Sequence, residues 1–191
     1  LASGRYALYS NTTGSANTGL GLQALFGSTT ASNNTAVGFQ SLLANTTGHS
    51  NVAVGANAGD AITTGDANVA VGYVALSATT TGDYNTAVGR GALAVNTTAS
   101  NNTGLGYASL GANTTGTSNV AVGRSALEAN TTASNNTGLG YGALAANTEG
   151  TQNTAIGAYA GDAITTGSEN TTVGYASSGA TTTGIRNAVL G

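Results

Sequence analysis

The feature that most constrains this chain is a 17-residue repeat, which runs through the whole sequence without an insertion or a deletion. Asn recurs at this spacing from Asn17 to Asn187, and a Gly follows each of these Asn residues four positions later. A fixed period is typical of chains built from one repeated structural unit. We therefore predict one uninterrupted array over residues 1–191, made of eleven units and part of another, without separate caps.

Within the unit, numbered so that the recurrent Asn is position 1, two segments have the composition of short strands. Positions 1–5, as in N-T-A-V-G, alternate small or amide residues with Thr and Val, which predicts a strand with two distinct faces. Positions 11–15, as in A-N-T-T-G, are rich in Thr and end in Gly, which predicts a second strand. The Gly at position 5 suits a tight corner with positive φ between the two segments.

Two short strands and two turns in so short a unit are typical of one coil of a solenoid, because helical repeats need more than about 30 residues. The predicted fold class is all-β: a parallel β-solenoid, or β-roll, whose coils stack about 4.8 Å apart. Equivalent residues of successive coils then lie above one another, so each position of the unit forms a column along the solenoid.

Two columns of polar residues are expected to act as hydrogen-bonded ladders between the coils. The Asn at position 1 is expected to be buried and to bond to its copies above and below. Thr stands at position 13 of every unit, where its hydroxyl can bond in the same way or its methyl can pack inward. The predicted ladder residues are Asn17, Asn34, Asn51, Asn68, Asn85, Asn102, Asn119, Asn136, Asn153 and Asn170, with Thr46, Thr63, Thr80, Thr97, Thr114 and Thr131.

Two units depart from the pattern in the same way. The segment G-D-A-I-T-T-G occurs at Gly59–Gly65 and again at Gly161–Gly167. In both, the usual Leu at position 9 is replaced by Gly, and the polar residue at position 12 is replaced by Ile62 or Ile164. One apolar side chain is lost and another is gained, which predicts compensation of volume within the same slice of core.

The composition excludes several classes of function. Charged residues make up 6% of the chain, against about 25% in ordinary soluble domains. The net charge is −3 and the four basic residues are scattered, which argues against nucleic-acid binding. No apolar run approaches the roughly 18 residues of a membrane span. There is no Cys, so neither a disulfide framework nor a zinc site with Cys ligands is available.

The core of each coil is expected to be thin, because one coil offers about one Val, one Leu and three Ala. The abundance of Ala, Gly and Ser suits surfaces that approach another chain closely. We therefore expect self-association, as a homotrimer about a fibre axis. The terminal units are also in register and ordinary, whereas solenoids normally end in atypical repeats that cover the strand edges. We expect the array to continue in a longer parent chain, or chains to stack end to end.

The units N-T-A-V-G-F-Q-S-L-L-A-N-T-T-G and N-T-A-I-G-A-Y-A-G-D-A-I-T-T-G resemble the repeat arrays of bacteriophage tail-fibre proteins. They are also similar to the head repeats of trimeric autotransporter adhesins, which have shorter units and fold as left-handed parallel β-rolls. The resemblance covers the full chain. It implies a homotrimeric, extracellular, cell-surface or virion-borne rod that provides reach and attachment.

Candidates for enzymatic chemistry are few, and we predict no enzyme, no cofactor and no metal site. His49 is the only His, and Asp60 and Asp162 are single carboxylates at matched turn positions, so all three are interpreted as solvated turn residues. The Gly-rich segment T-G-L-G-L-Q-A-L-F-G imitates a dinucleotide fingerprint, but the repeat itself explains its glycines. The N-x-[ST] sequences at Asn45 and Asn113 fall at repeat positions, which favours a structural role over glycosylation.

Position 6, after the corner Gly, holds the one column that suggests recognition. From Tyr73 to Tyr141, aromatic residues and Arg alternate at one-coil spacing, and a guanidinium can stack on a ring at this distance. One interpretation is a surface stack that stabilises the fibre; the other is a stripe that binds a cell-surface glycan or receptor. The candidate residues are Phe39, Tyr73, Arg90, Tyr107, Arg124, Tyr141 and Tyr175.

Ice binding is a third possible function, because low charge, a flat β-solenoid and Thr ladders are features of ice-binding proteins. Their hallmark is a T-x-T row that faces water from one strand. The paired Thr residues at positions 13 and 14 are adjacent, so they face opposite ways and leave one outward Thr in each coil.

Overall fold

The alternating residues at positions 2–4 form one short β-strand in every coil. A computed structural model describes residues 1–191. Each strand pairs in parallel with the next, with partners one repeat apart, as in Thr35 with Val52, so the parallel β-solenoid is confirmed. The single sheet contains β1 (Ala2–Ser3), β2 (Thr18–Leu20), β3 (Thr35–Val37), β4 (Val52–Val54), β5 (Val69–Val71), β6 (Thr86–Val88), β7 (Thr103–Leu105), β8 (Val120–Val122), β9 (Thr137–Leu139), β10 (Thr154–Ile156), β11 (Thr171–Val173) and β12 (Ala188–Leu190).

The two faces of this sheet differ in the size of their side chains. The middle residue of almost every strand is Ala or Gly, and it is buried, as at Ala87. The flanking residues at positions 2 and 4 point away from the core, and Val88 and Ile156 are 37% and 42% exposed. We call the surface formed by positions 2 and 4 of β2–β12 the outer sheet face. The expectation that Val belongs to the core is therefore wrong for nearly every strand, because Ala or Gly takes the inward position there.

The Gly at position 5 turns the chain sharply after each strand. Gly72 has φ of 132°, a conformation that side chains with a Cβ rarely adopt. A Cβ at Gly72 would also lie 2.7 Å from the carbonyl oxygen of Gly89, the equivalent residue of the next coil. The close stacking of successive corners therefore admits no side chain at this position.

The second predicted strand, at positions 11–15, is not formed. In the coil that contains Asn45, the N–H groups of Thr46, Thr47 and Gly48 all donate to one carbonyl oxygen, that of Thr63, at 2.9, 3.2 and 3.4 Å. Convergence of three successive donors on one acceptor requires a bent backbone, whereas a strand directs successive N–H groups to opposite sides. The Thr-rich segment is therefore a bend that still bonds to the neighbouring coil.

The core is a narrow column of aliphatic side chains opposite the sheet. Its cluster contains 22 buried residues, and the largest are the Leu residues at position 9, such as Leu93. These Leu residues have left-handed backbones, with φ of 50° at Leu93, which turns the side chain inward. A non-Gly residue in this region costs about 1–3 kcal/mol. The bond from the N–H of Leu93 to the carbonyl of Ser109 in the next coil, at 3.0 Å, helps to hold it there.

The two units that carry Gly at position 9 keep the core filled with a side chain from position 12. Ile62 and Ile164 are both buried in the core cluster. A Cβ added to Gly59 would lie 3.0 Å from Cδ1 of Ile62 and 3.2 Å from Cδ2 of Leu42. Ile62 therefore fills space next to the missing Leu, as the paired substitutions in the sequence predict.

Candidate functional site

The Asn residues at position 1 join each coil both to itself and to the coil before it. The backbone N–H of Asn51 donates to Oδ1 of Asn34 at 2.8 Å, while its own side-chain amide donates to the carbonyl of Gly65 at 2.8 Å. The second bond closes the coil, because Gly65 lies at the end of the same unit. The ten predicted Asn residues are buried: Asn17, Asn34, Asn51, Asn68, Asn85, Asn102, Asn119, Asn136, Asn153 and Asn170.

A second column of buried Asn residues lies at position 12 and was not among the predicted ladders. The side-chain amides of Asn113 and Asn130 donate to Oδ1 of Asn96 and Asn113, each at 2.9 Å, and that of Asn147 donates to Asn130 at 3.1 Å. The recurrent A-N-T-T in the sequence is its signal. Asn45 and Asn113 are fully buried at this position, so neither side chain can accept a glycan in the folded chain.

The Thr column at position 13 uses its hydroxyls to bond the next coil rather than to face water. Oγ1 of Thr46 donates to the carbonyl of Thr63 at 3.1 Å, and Thr114 donates to Thr131 at 3.0 Å. The six predicted residues are all half-buried and make the equivalent bond: Thr46, Thr63, Thr80, Thr97, Thr114 and Thr131. These hydroxyls are consequently unavailable as a free binding row.

Position 16 contains another set of inter-coil bonds, in which side chains accept backbone N–H groups. Nδ1 of His49 accepts from the N–H of Ser32 at 3.1 Å, and Oδ1 of Asp66 accepts from the N–H of His49 at 2.6 Å. Oδ1 of Asp83 accepts from Asp66 at 2.8 Å in the same way. Ser, His and Asp therefore replace one another at this position because each can accept this bond. His49 is thus an exposed turn residue with a structural bond.

The position 6 column brings five of the seven predicted residues into one stack. The guanidinium carbon of Arg90 lies 5.8 Å from the ring centroid of Tyr73 and 5.6 Å from that of Tyr107. Arg124 lies 5.6 Å from the rings of Tyr107 and Tyr141. We call these residues, Tyr73 to Tyr141 at position 6, the Tyr–Arg stack. Tyr107 thus has a guanidinium near its ring from each of the two neighbouring coils.

The other two residues predicted for this column lie outside the Tyr–Arg stack. Ala56 stands between Phe39 and Tyr73 in the column, and Ala158 stands between Tyr141 and Tyr175. Tyr175 is connected instead through Tyr159, whose ring makes edge contacts with the rings of Tyr141 at 5.0 Å and Tyr175 at 6.2 Å. All of these aromatic residues are exposed, so the column forms a visible stripe along the solenoid.

A row of exposed Thr residues at position 14 runs beside the half-buried Thr column. Ten of its eleven members are Thr, and Glu149 interrupts the row. The exposed Thr residues are Thr13, Thr30, Thr47, Thr64, Thr81, Thr98, Thr115, Thr132, Thr166 and Thr183. None of their hydroxyls donates to the protein, so this row presents hydroxyls to solvent at the coil spacing.

The surface is otherwise nearly featureless. It has no pocket, and no three His, Asp or Glu side chains lie close enough together to share a metal ion. The chain contains no helix, and hence none that could span a membrane. Its one salt bridge joins Arg186 to Glu169 at 2.7 Å, and this ion pair lowers the pKa of Glu169. The functional candidates are therefore the extended columns rather than any local cluster.

The fold and its columns define this chain as a parallel β-solenoid repeat protein. Comparison with known proteins adds no closer assignment: no protein family, no curated protein and no solved structure matches the chain.

Proposed function

We propose that this chain is a structural protein, a segment of an extracellular or virion-borne rod that provides reach and surface attachment. The observation that carries the proposal is the uniform bonding of every coil to the next. Backbone N–H groups at positions 2, 5, 7, 9, 11 and 13 donate hydrogen bonds to carbonyls of a neighbouring coil, and this pattern recurs along the chain. The chain has 125 backbone–backbone hydrogen bonds in total. The buried Asn columns add side-chain bonds in the same direction.

The mechanical role follows from how this bonding scales with length. Each added coil brings its own strand, core residues and Asn bonds, and it lengthens the rod by about 4.8 Å. Because stability in such arrays is a sum of unit and interface terms, length can increase without a new core. Repetition is then the means by which the chain reaches outward, and no catalytic chemistry is needed.

Self-association is part of the proposal. The core within one coil is small, and the resemblance of the units to tail-fibre and adhesin repeats supports a homotrimer along the rod axis. An end-to-end polymer is the alternative assembly. At the far end of such a rod, the partner would be a cell-surface glycan or another receptor.

A change in the number of coils tests the rod. Duplication of residues 34–101 adds four units and should lengthen the particle by about 19 Å at constant diameter, as measured by electron microscopy or small-angle X-ray scattering. A particle that widens instead of lengthening would contradict the proposal. Location is tested separately: antibodies against this chain should label projecting fibres on intact particles or cells, whereas purely internal labelling would contradict an exposed rod.

Ice binding is supported by one observation, the exposed Thr row at position 14. The Thr hydroxyls at position 13 do not contribute, because they donate to the neighbouring coil, as Thr46 does to Thr63. An ice-binding surface would therefore depend on a single hydroxyl row or on the outer sheet face. A thermal-hysteresis measurement decides between the two functions, since a structural rod should neither depress the freezing point beyond its colligative effect nor shape ice crystals.

A further inference from the structure

The outer sheet face carries the larger apolar side chains of the sheet, which are half-buried or exposed. In each of β2–β12 the residue at position 4 is Val, Leu or Ile, and it points away from the core. Position 2 is Thr or Val in nearly all of these strands, so both columns present methyl groups. No charged residue occurs at either position in these strands. Large contiguous apolar patches of this kind mark interaction surfaces in soluble proteins.

The size of this face matches what an interface requires. Its eleven strands, β2–β12, give ten spacings, so the face is about 48 Å long, and a three-residue strand makes it roughly 10 Å wide. Each chain therefore presents on the order of 500 Å². Two such faces packed together bury on the order of 1,000 Å² in total, which is the lower limit for a specific protein–protein interface.

The absence of charged residues from the outer sheet face limits which partner can bind there. A partner with charged groups would find no countercharge here, and burial of an unpaired charge is costly. A second copy has the same uncharged columns and the same coil spacing, so its side chains can enter the gaps between the coils of the first along the entire length. We propose that the outer sheet face is where copies of this chain pack on one another. This inference rests on the self-association in the proposed function and assigns it to a surface.

The test places two charges at the centre of the face. In the variant with Val88→Glu and Val122→Glu, association should weaken by about a hundredfold or more, because each carboxylate would be buried without a partner. The matched control, Thr98→Glu with Thr132→Glu, adds the same charges to the same two coils at position 14, where Glu149 occurs naturally. Sedimentation velocity over a range of concentrations measures the mass of each protein.

The expected result is an oligomer for the original chain and for the control, and a folded monomer for the Val variant, with all three giving the same circular-dichroism spectrum. If the Val variant fails to fold, Val88→Thr with Val122→Thr replaces it. This milder change keeps β-branched residues and removes apolar contact, and it should weaken association by about tenfold.

Three outcomes overturn the inference, and they are distinguishable. If the folded Val variant retains the oligomeric mass of the original chain, association uses another surface, while the proposed function stands. If the original chain is monomeric at every concentration, the proposed self-association fails as well. If the monomeric chain also shapes ice crystals and the Val variant does not, the outer sheet face binds ice rather than a second copy.

Discussion

Oδ1 of Asn45 is buried without a hydrogen-bond partner, because the next coil places Ile62 where an Asn side chain would donate to it. Oδ1 of Asn147 is orphaned in the same way below Ile164. In both places the amide column at position 12 is interrupted by the side chain that compensates for a missing Leu. In these two coils an apolar side chain fills the core, and one buried hydrogen bond, worth about 1 kcal/mol, is not made.

This exchange predicts strong coupling between Gly59 and Ile62. Gly59→Leu alone overpacks the core next to Ile62 and should cost about 1–3 kcal/mol, while Ile62→Asn alone leaves a cavity and should cost about 3 kcal/mol. The double variant recreates the common unit, so its free energy of unfolding should lie within about 1 kcal/mol of the original. Urea denaturation of the four proteins measures the cycle.

The second unusual unit provides the control for this cycle. Gly59→Leu combined with Ile164→Asn involves two sites six coils apart, so the two effects should add. If the effects of Gly59→Leu and Ile62→Asn on the free energy of unfolding are additive, the two side chains do not occupy the same space. That result would contradict the compensation of volume.

The corner at Gly72 predicts a large effect from a single methyl group. Gly72→Ala should destabilise the chain by roughly 3 kcal/mol or more, since the new Cβ would meet the carbonyl of Gly89 and the backbone would have to leave its φ of 132°. Gly91→Ala is the control, because φ is 68° there, nothing lies within 4 Å of a Cβ, and Ala108 occupies the same position of the next coil. It should cost only the ordinary penalty of a left-handed backbone, about 1–2 kcal/mol. Equal thermal stability of the two variants would contradict the stacked corner.

The repeat made the solenoid predictable, because period and alternation are local properties. The alternation of Thr35, Ala36 and Val37 predicts a strand with two faces, but it does not show which face is inward. That choice depends on the width left inside the coil, which Ala or Gly fills in nearly every strand. The second predicted strand failed because three donors of Thr46–Gly48 share one carbonyl, and such convergence depends on the coil above.

Some of the candidate columns could be predicted from the sequence and others could not. A regular pattern gave a clear signal, as for the Asn at position 1 and the alternation of Tyr107 and Arg124. Position 16 gave no such signal, because Ser32, His49 and Asp66 are different residue types that share only the ability to accept a backbone N–H. Residues of different types that accept the same hydrogen bond can be recognised as equivalent only when their bonding partners are known.

The Tyr–Arg stack is expected to stabilise the solenoid. Tyr107→Ala and Arg124→Ala should each lower the melting temperature, and the double-mutant cycle should give a coupling of about 0.5–1 kcal/mol for an exposed cation–π contact. Tyr107 with Arg5 is the control pair, since these residues lie six coils apart and should show no coupling. Unchanged stability together with lost binding to a glycan array would identify the stripe as a recognition surface instead.

The Asn column at position 1 predicts that substitution of two adjacent Asn residues has very different effects on the free energy of unfolding. Asn102→Ala removes the acceptor of the Asn119 N–H, at 3.0 Å, and the donor to the Gly116 carbonyl, at 2.8 Å. The N–H of Asn119 would be left unsatisfied, and the carbonyl of Gly116 would keep only its bond from the Asn113 side chain at 2.9 Å, so the cost should be about 2–3 kcal/mol. Asn101→Ala should cost less than about 1 kcal/mol, because Asn101 is exposed and Ala16 holds the same position in another coil. Chemical denaturation compares the two, and similar midpoints would contradict the ladder.

Asp60 predicts that stability falls as the pH rises above the acidic range. Burial away from water raises its pKa above the ordinary value of 3.8, and the hydrogen bond from Asn57 opposes this shift to a smaller extent. The folded chain therefore holds this proton more tightly than the unfolded chain does. The resulting stabilisation is fully present below pH 3.8 and is lost as the pH rises through the pKa of the folded state.

Asp60→Asn removes this titration and should become more stable relative to the original chain as the pH rises from 3 to 7. Urea denaturation at several pH values measures the difference. The trend should persist at high salt, because desolvation is not screened by ions, whereas a trend caused by neighbouring charges would be reduced. A difference in unfolding free energy that stays constant with pH would show that the Asp60 carboxylate is as well solvated in the folded chain as in the unfolded one.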